Sequence, residues 1–110
     1  MKKNISMIRG DTFSFNFVIN EEVVNAFFTA KKTTRKDDTN YIFKKSLGDG
    51  ITLVDQDQGE YTYCVRVAPE DTFNVNEDTY YYDLQINVTD DVYTPLIGRL
   101  KITYDVTREV

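Results

Sequence analysis

The sequence predicts an all-β fold, an antiparallel β-sandwich or small barrel of seven to eight short strands. Three observations predict it. Apolar and polar residues alternate along most of the chain, the period of a strand with one buried face. Turn signals rich in glycine and aspartate separate these runs at near-regular spacing. No stretch carries a long helical period. A length of 110 residues allows a single domain, residues 1–110. With 41% hydrophobic and 14% aromatic residues the chain can build a core, which argues against disorder.

Along Thr12 to Ile19 the apolar set is Phe13, Phe15, Phe17 and Ile19, alternating with Ser14 and Asn16. Val24, Ala26, Phe28 and Ala30 predict a second strand, with Phe27 facing the other way. The polar tract from Lys31 to Asn40 reads as a protruding loop or hairpin tip. Short strands are expected over Tyr41 to Lys45 and Ile51 to Val54, joined by the turn Gly48-Asp49-Gly50. The next turn spans Asp55 to Glu60. From Tyr61 to Val67, Tyr61, Tyr63, Val65 and Val67 share one face, and Thr62, Cys64 and Arg66 the other. Ala68 to Phe73 fits one helical turn, with Pro69 early and acids in its first turn. Thr79 to Val88 is the strongest strand, with Tyr80, Tyr82, Leu84, Ile86 and Val88 inward. Pro95 is expected to interrupt the chain. The last strand, Ile97 to Val106, directs Leu100, Ile102, Tyr104 and Val106 inward.

One detail bears on the kind of sandwich. In Greek-key sandwiches a tyrosine near the start of the penultimate strand bonds back to upstream backbone, two residues before a core position. Asp78-Thr79-Tyr80-Tyr81-Tyr82 has that layout, with Tyr82 in the slot that antibody domains give to cysteine. The other reading makes Tyr80 an ordinary core residue of an amphipathic strand.

Composition excludes several chemistries. The chain has no histidine, so Ser-His-Asp and Cys-His relays are impossible, as are histidine-containing zinc sites. Its single cysteine, Cys64, rules out an intrachain disulfide, an all-cysteine zinc site and a cysteine-ligated iron–sulfur cluster. It also leans toward a reducing compartment. The net charge of −5 makes nucleic acid a poor partner, since phosphate binding depends on cations. No apolar run approaches a membrane span, and none follows Met1-Lys2-Lys3-Asn4. A soluble chain made in the cytoplasm is therefore expected.

Candidate sites are few. Asp55-x-Asp57-x-Gly59-Glu60 lacks the later bidentate glutamate of an EF-hand loop and reads as a solvated turn. Arg9-Gly10-Asp11 spells an adhesion tripeptide but sits at a strand entry, where a bend is expected. The cluster Lys31, Lys32, Arg35 and Lys36 runs straight into Asp37 and Asp38 and reads as a solvated loop. A contact with an acidic patch on another subunit is a further reading. No acid stands in a catalytic motif, so no catalytic, metal or cofactor residue is assigned and the sequence points away from an enzyme. Three aromatics, Phe27, Tyr81 and Tyr93, break the polar sides of their strands and are the candidate partner contacts, tyrosine being enriched at interfaces.

The order of several short motifs resembles a known family. These are Arg9-Gly10-Asp11-Thr12 before an aromatic strand, Gly50-Ile51, Gly59-x-Tyr61, and Glu70-Asp71-Thr72 ahead of Tyr80-Tyr81-Tyr82-Asp83-Leu84-Gln85. Thr94, Gly98 and Asp105-Val106-Thr107 complete the set. Together they resemble the small immunoglobulin-like proteins of phage and prophage structural modules in Gram-positive bacteria, and the amino-terminal domain of phage baseplate upper proteins. The resemblance covers nearly the whole chain. One departure is Asp78, where the family pattern carries glycine two residues before the first tyrosine. The resemblance implies an immunoglobulin-like sandwich that acts as a structural or adaptor protein of a tail or baseplate, located in the virion. It implies assembly with other virion structural proteins and with copies of itself, and no catalytic residues. The competing expectation is a carbohydrate- or host-surface-binding sandwich, with tyrosines stacking on sugar rings.

Overall fold

The computed structural model describes residues 2–32 and 41–104. Eight strands are built as the alternation dictates: β1 (Ile5–Ile8), β2 (Phe13–Ile19), β3 (Asn25–Lys31), β4 (Tyr41–Leu47), β5 (Gly50–Asp57), β6 (Glu60–Val67), β7 (Asp78–Asn87) and β8 (Val92–Thr103). A single helical turn, α1 (Pro69–Thr72), connects β6 to β7. The strands form one continuous sheet in the order β1-β8-β7-β3-β4-β5-β6-β2. The sheet folds over where β4 meets β5, so that β8-β7-β3-β4 faces β5-β6-β2. Lettered as an immunoglobulin sandwich, these layers are G-F-C-C′ and D-E-B. The protein is thus an all-β, immunoglobulin-like sandwich. The described strands pair antiparallel except β1 with β8 and β4 with β5, which are short and parallel.

The core lies between the layers. Phe28 of β3, fully buried, touches Phe15 of β2 at 5.2 Å between ring centroids and Tyr82 of β7 at 5.6 Å. Antibody domains place a disulfide between strands B and F, packed against a tryptophan of strand C. Here three aromatic rings from the same three strands do that work. Aromatic pairs at this separation contribute about 0.5–1.5 kcal/mol beyond the area they bury.

The tyrosine corner is present. The Tyr80 hydroxyl donates to the Asn76 carbonyl at 2.7 Å, four residues upstream, while the ring is buried. Asp78 takes its place before the corner without strain, since the described non-glycine residues with positive φ do not include it. Its carboxylate accepts the Thr79 N–H and pairs with Lys32.

The Arg9-Gly10-Asp11 bend is tied down from below. Gly10 takes φ of 81°, the left-handed region that glycine adopts freely, and its N–H donates to the buried Thr72 hydroxyl of α1 at 2.8 Å. Within α1 the Asp71 carboxylate accepts the Ala68 N–H and pairs with Lys45 at 3.0 Å. The bend and the helical turn therefore brace each other.

Several expectations need correction. Val24 is 62% exposed, and Val23 is the buried residue. The connection holds them so because the Val23 N–H donates to the Tyr63 hydroxyl and the Val24 N–H to the Asn87 carbonyl. The turn expected over Asp55 to Glu60 shrinks to Gln58-Gly59, both with positive φ, as a two-residue hairpin turn requires. Asp55 and Asp57 lie on β5 instead. Pro95 does not end its strand. β8 runs through it at a bulge opposite Leu84 and Ile86, where no ladder N–H is needed. Tyr104 points outward, 48% exposed, with the Arg9 guanidinium 4.0 Å over its ring. Val106, Asp105-Val106-Thr107, and Arg35 through Asp38 of the expected loop lie outside the described residues.

Candidate functional site

Strand alternation sends one set of side chains from β8-β7-β3-β4 into the core and the other set to the outer face. Ladder register then sets their neighbours. Tyr81 of β7 stands between Lys31 of β3 and Arg99 of β8. Asp83, two residues on, stands between Thr29 and Ile97. Phe27 of β3 stands between Ser46 of β4 and Gln85 of β7. The face thus carries a mixed aromatic and cationic patch.

Contacts within the patch are specific. The Lys44 ammonium lies 4.9 Å from the Phe27 ring centroid and 5.9 Å from that of Tyr41. Such contacts contribute about 0.5–1 kcal/mol at exposed sites. Tyr81 remains 37% exposed. Burial pushes the Asp83 carboxyl above the usual carboxylate range, and Lys31 acts against that shift.

Of the three aromatics singled out from sequence, the fold brings Phe27 and Tyr81 to this face and leaves Tyr93 elsewhere. Tyr93 is paired with the inward-facing Ile86, so it sits at the open seam between the layers. Its hydroxyl lies 3.5 Å from the Asp91 carboxylate. Asp91 is the main cause that raises its phenol pKa, and Glu21 adds to it. Lys44, Tyr41 and Arg99 were missed from sequence. Phe43 turns inward, so alternation alone sends Lys44 out; the ladder sets it opposite Thr29, from where its ammonium reaches the Phe27 ring.

The remaining candidates find structural places. Lys31 ends β3 and Lys32 pairs with Asp78, while Arg35 and Lys36 lie outside the described residues. Cys64 is half-buried on β6 opposite Asn16 and Thr52. Asp55 opposes Thr62 in the β5–β6 ladder, and its carboxylate accepts the Gln56 N–H. Among the described residues no group of three His, Cys, Asp or Glu could hold a metal ion. Among the same residues no helix is long and apolar enough to cross a membrane.

A groove runs along the seam where β2 faces β1 and the start of β8. One part, of about 610 Å³, is lined by Ile5, Phe13, Phe15, Leu84 and Leu96. The adjoining part, of about 530 Å³, is lined by Ile19, Ile86, Val92 and Tyr93. Phe17 and Pro95 border both.

No protein-family model and no curated protein matches the sequence. Among solved structures the chain is similar to a family 123 glycoside hydrolase from Clostridium perfringens, with a TM-score of 0.54 and 9% identity. That match covers 96% of this chain and 23% of the hydrolase, so the chain spans about a quarter of that protein's length. It is also similar to the ZIG-8–RIG-5 IG1-IG1 heterodimer, at a TM-score of 0.36 and 11% identity over 94% of this chain and 83% of that one. The hydrolase likeness shows a shared β architecture. The second is too distant to carry weight, and the immunoglobulin-like assignment stands on the strand order and the Tyr80 corner.

Proposed function

We propose that this protein is a non-enzymatic assembly module, a structural or adaptor subunit of a tailed phage or prophage particle at the tail or baseplate. The observation that carries the assembly role is the outer patch of β8-β7-β3-β4. Phe27, Tyr41 and Tyr81 stand there among Lys31, Lys44 and Arg99, in a protein whose net charge is −5. Aromatic residues and arginine are the types enriched at protein interfaces. A cationic patch on an acidic chain also fits an acidic surface on a neighbouring subunit, which is the geometry of head-to-tail contact. The virion setting rests on the resemblance of the ordered motifs.

Two measurements test this reading. Mass spectrometry of purified particles from the producing bacterium detects the protein if it is a virion component. Its absence from intact particles refutes the virion setting. The double substitution Phe27→Ser with Tyr81→Ser abolishes copurification with its structural partner, while the variant, less stable for the lost Lys44–Phe27 contact, remains folded by circular dichroism. Undiminished copurification removes the outer patch from the interface.

A second reading is a carbohydrate-binding sandwich, favoured by Tyr81 and Asp83 on one exposed face, an aromatic platform beside a hydroxyl acceptor. A glycan array without signal removes it.

A further inference from the structure

Each edge of a β-sheet exposes unpaired N–H and C=O groups, and soluble proteins protect such edges. This molecule does so at most of its edges. β1 is only four residues long. β4 carries Lys44 and Lys45. β5 carries Asp55 and Asp57 and a bulge between Leu53 and Asp55. β8 has Pro95 and a bulge where β1 no longer covers it. β2 is the exception. Its seven residues, Phe-Ser-Phe-Asn-Phe-Val-Ile, hold no charge, no proline and no bulge. Among the described residues β6 is its one strand partner, and no described strand pairs with its far edge.

The groove lies against that edge. Inward residues of β3, β6 and β7 are almost all fully buried, but Phe13, Phe15, Phe17 and Ile19 are only half-buried. A strand A beside strand B would cover them in an immunoglobulin sandwich. Here β1 pairs with β8 instead, and the place beside β2 is empty of any described strand.

We propose that the free edge of β2 accepts an extended segment of another protein by strand addition, antiparallel to β2. Its alternate apolar side chains fill the groove over Phe13, Phe15 and Phe17, and a lysine or arginine lies at its N-terminal end. The backbone of β2 supplies the hydrogen bonds, and the groove selects side chains with a period of two. At seven residues β2 matches a guest strand of similar length. The cation is argued from charge. The groove ends beside Ile19 and Tyr93, where Glu21 and Asp91 are close enough to act on the Tyr93 hydroxyl. A second copy of β2 is a poorer occupant, because its phenylalanines already face their own core and leave both grooves unfilled. The proposal goes beyond the virion reading and stands whether or not the protein belongs to a phage.

The probe is a fluorescein-labelled nine-residue peptide, lysine followed by alternating valine and threonine. Saturable anisotropy is expected, together with hydrogen-exchange protection at alternate amides of residues 13–19. A proline at the peptide centre abolishes binding. Glu21→Lys weakens the lysine peptide by roughly two- to fivefold, the scale of an exposed ion pair, and strengthens a glutamate-ended one. Glu21 is exposed, so the variant keeps its fold, as circular dichroism checks. Three results overturn the proposal: no binding up to millimolar peptide, equal binding of the proline peptide, or residues 13–19 already protected in a sedimenting homodimer.

Discussion

Tyr80→Phe separates a corner tyrosine from an ordinary core residue. The substitution removes one oxygen and leaves the buried ring, the Lys32 contact and the packing in place. What is lost is the 2.7 Å bond to the Asn76 carbonyl. A net hydrogen bond contributes about 0.5–1.5 kcal/mol. Asn76 is exposed, so water partly replaces the lost donor and holds the cost near about 1 kcal/mol. Unfolding entropy of roughly 2.1 cal/mol/K per residue gives about 0.23 kcal/mol/K for this chain, so the melting temperature drops about 4 °C. Thermal unfolding followed by circular dichroism reads this directly, given two-state behaviour. Burial of the same hydroxyl predicts a pH dependence. Burial raises the Tyr80 phenol above its ordinary value of 10.0, with Lys32 acting against the shift. The neutral phenol is thus favoured in the folded state. That contribution is complete below pH 10 and is lost as pH rises through the folded pKa. Tyr80→Phe therefore flattens the alkaline fall in stability as well. A core tyrosine with no specific bond gives a neutral or slightly stabilising Phe variant. An unchanged melting temperature with an unchanged alkaline limb refutes the corner.

Other perturbations test the bracing of the two layers and the N-terminal segment. In Gly98→Ala the new Cβ would run into the Lys3 backbone carbonyl, so the chain before β1 is pushed off β8. Amides of Lys3 and Ile5 then exchange faster, and stability falls by about 1–3 kcal/mol. Phe28→Ala empties the centre of the Phe15–Phe28–Tyr82 cluster and costs about 3–5 kcal/mol, a large share of the roughly 5–15 kcal/mol that a domain commands. Urea titration measures it, and a loss below about 2 kcal/mol shows that the three rings do not replace a cross-link. Thr72→Val leaves the Gly10 N–H without its acceptor and costs about 1–3 kcal/mol, whereas Thr72→Ser retains most of the stability.

Much of the fold was legible because alternation is a local signal. The inward sets of β3, β6 and β7 follow directly from it, and Tyr80 stands four residues after its acceptor, within reach of a sequence pattern. What failed was local geometry decided by distant partners. Val23 replaces Val24 in the core because Tyr63, forty positions away, holds its amide. Pro95 stays within a strand because a bulge on the opposing ladder excuses its missing donor. Gly98 has a similar explanation. Lys3 lies across it, donating its N–H to the Ile97 carbonyl and accepting from the Tyr82 hydroxyl. Nothing in the neighbouring residues announces that crossing.

The same limit applies to function, and it explains which candidates converged. Sequence marks outward aromatics one strand at a time and cannot say which share a face. Phe27 and Tyr81 came together because β3 pairs with β7, whereas the bulge at Leu84 and Ile86 carried Tyr93 to the seam. The unprotected character of Phe13 to Ile19 is visible in the residues themselves. Its meaning depends on strand order, since an uncharged aromatic strand is unremarked in mid-sheet and demands a partner at an edge. Two surfaces therefore compete for the role of interface, the cationic outer face and the open seam along β2. They call for different partners, a folded acidic surface and an extended strand. The Phe27 and Tyr81 double variant disables the first and leaves the β2 edge intact. Peptide binding that survives this variant, with copurification lost, assigns two separate contacts to one small domain.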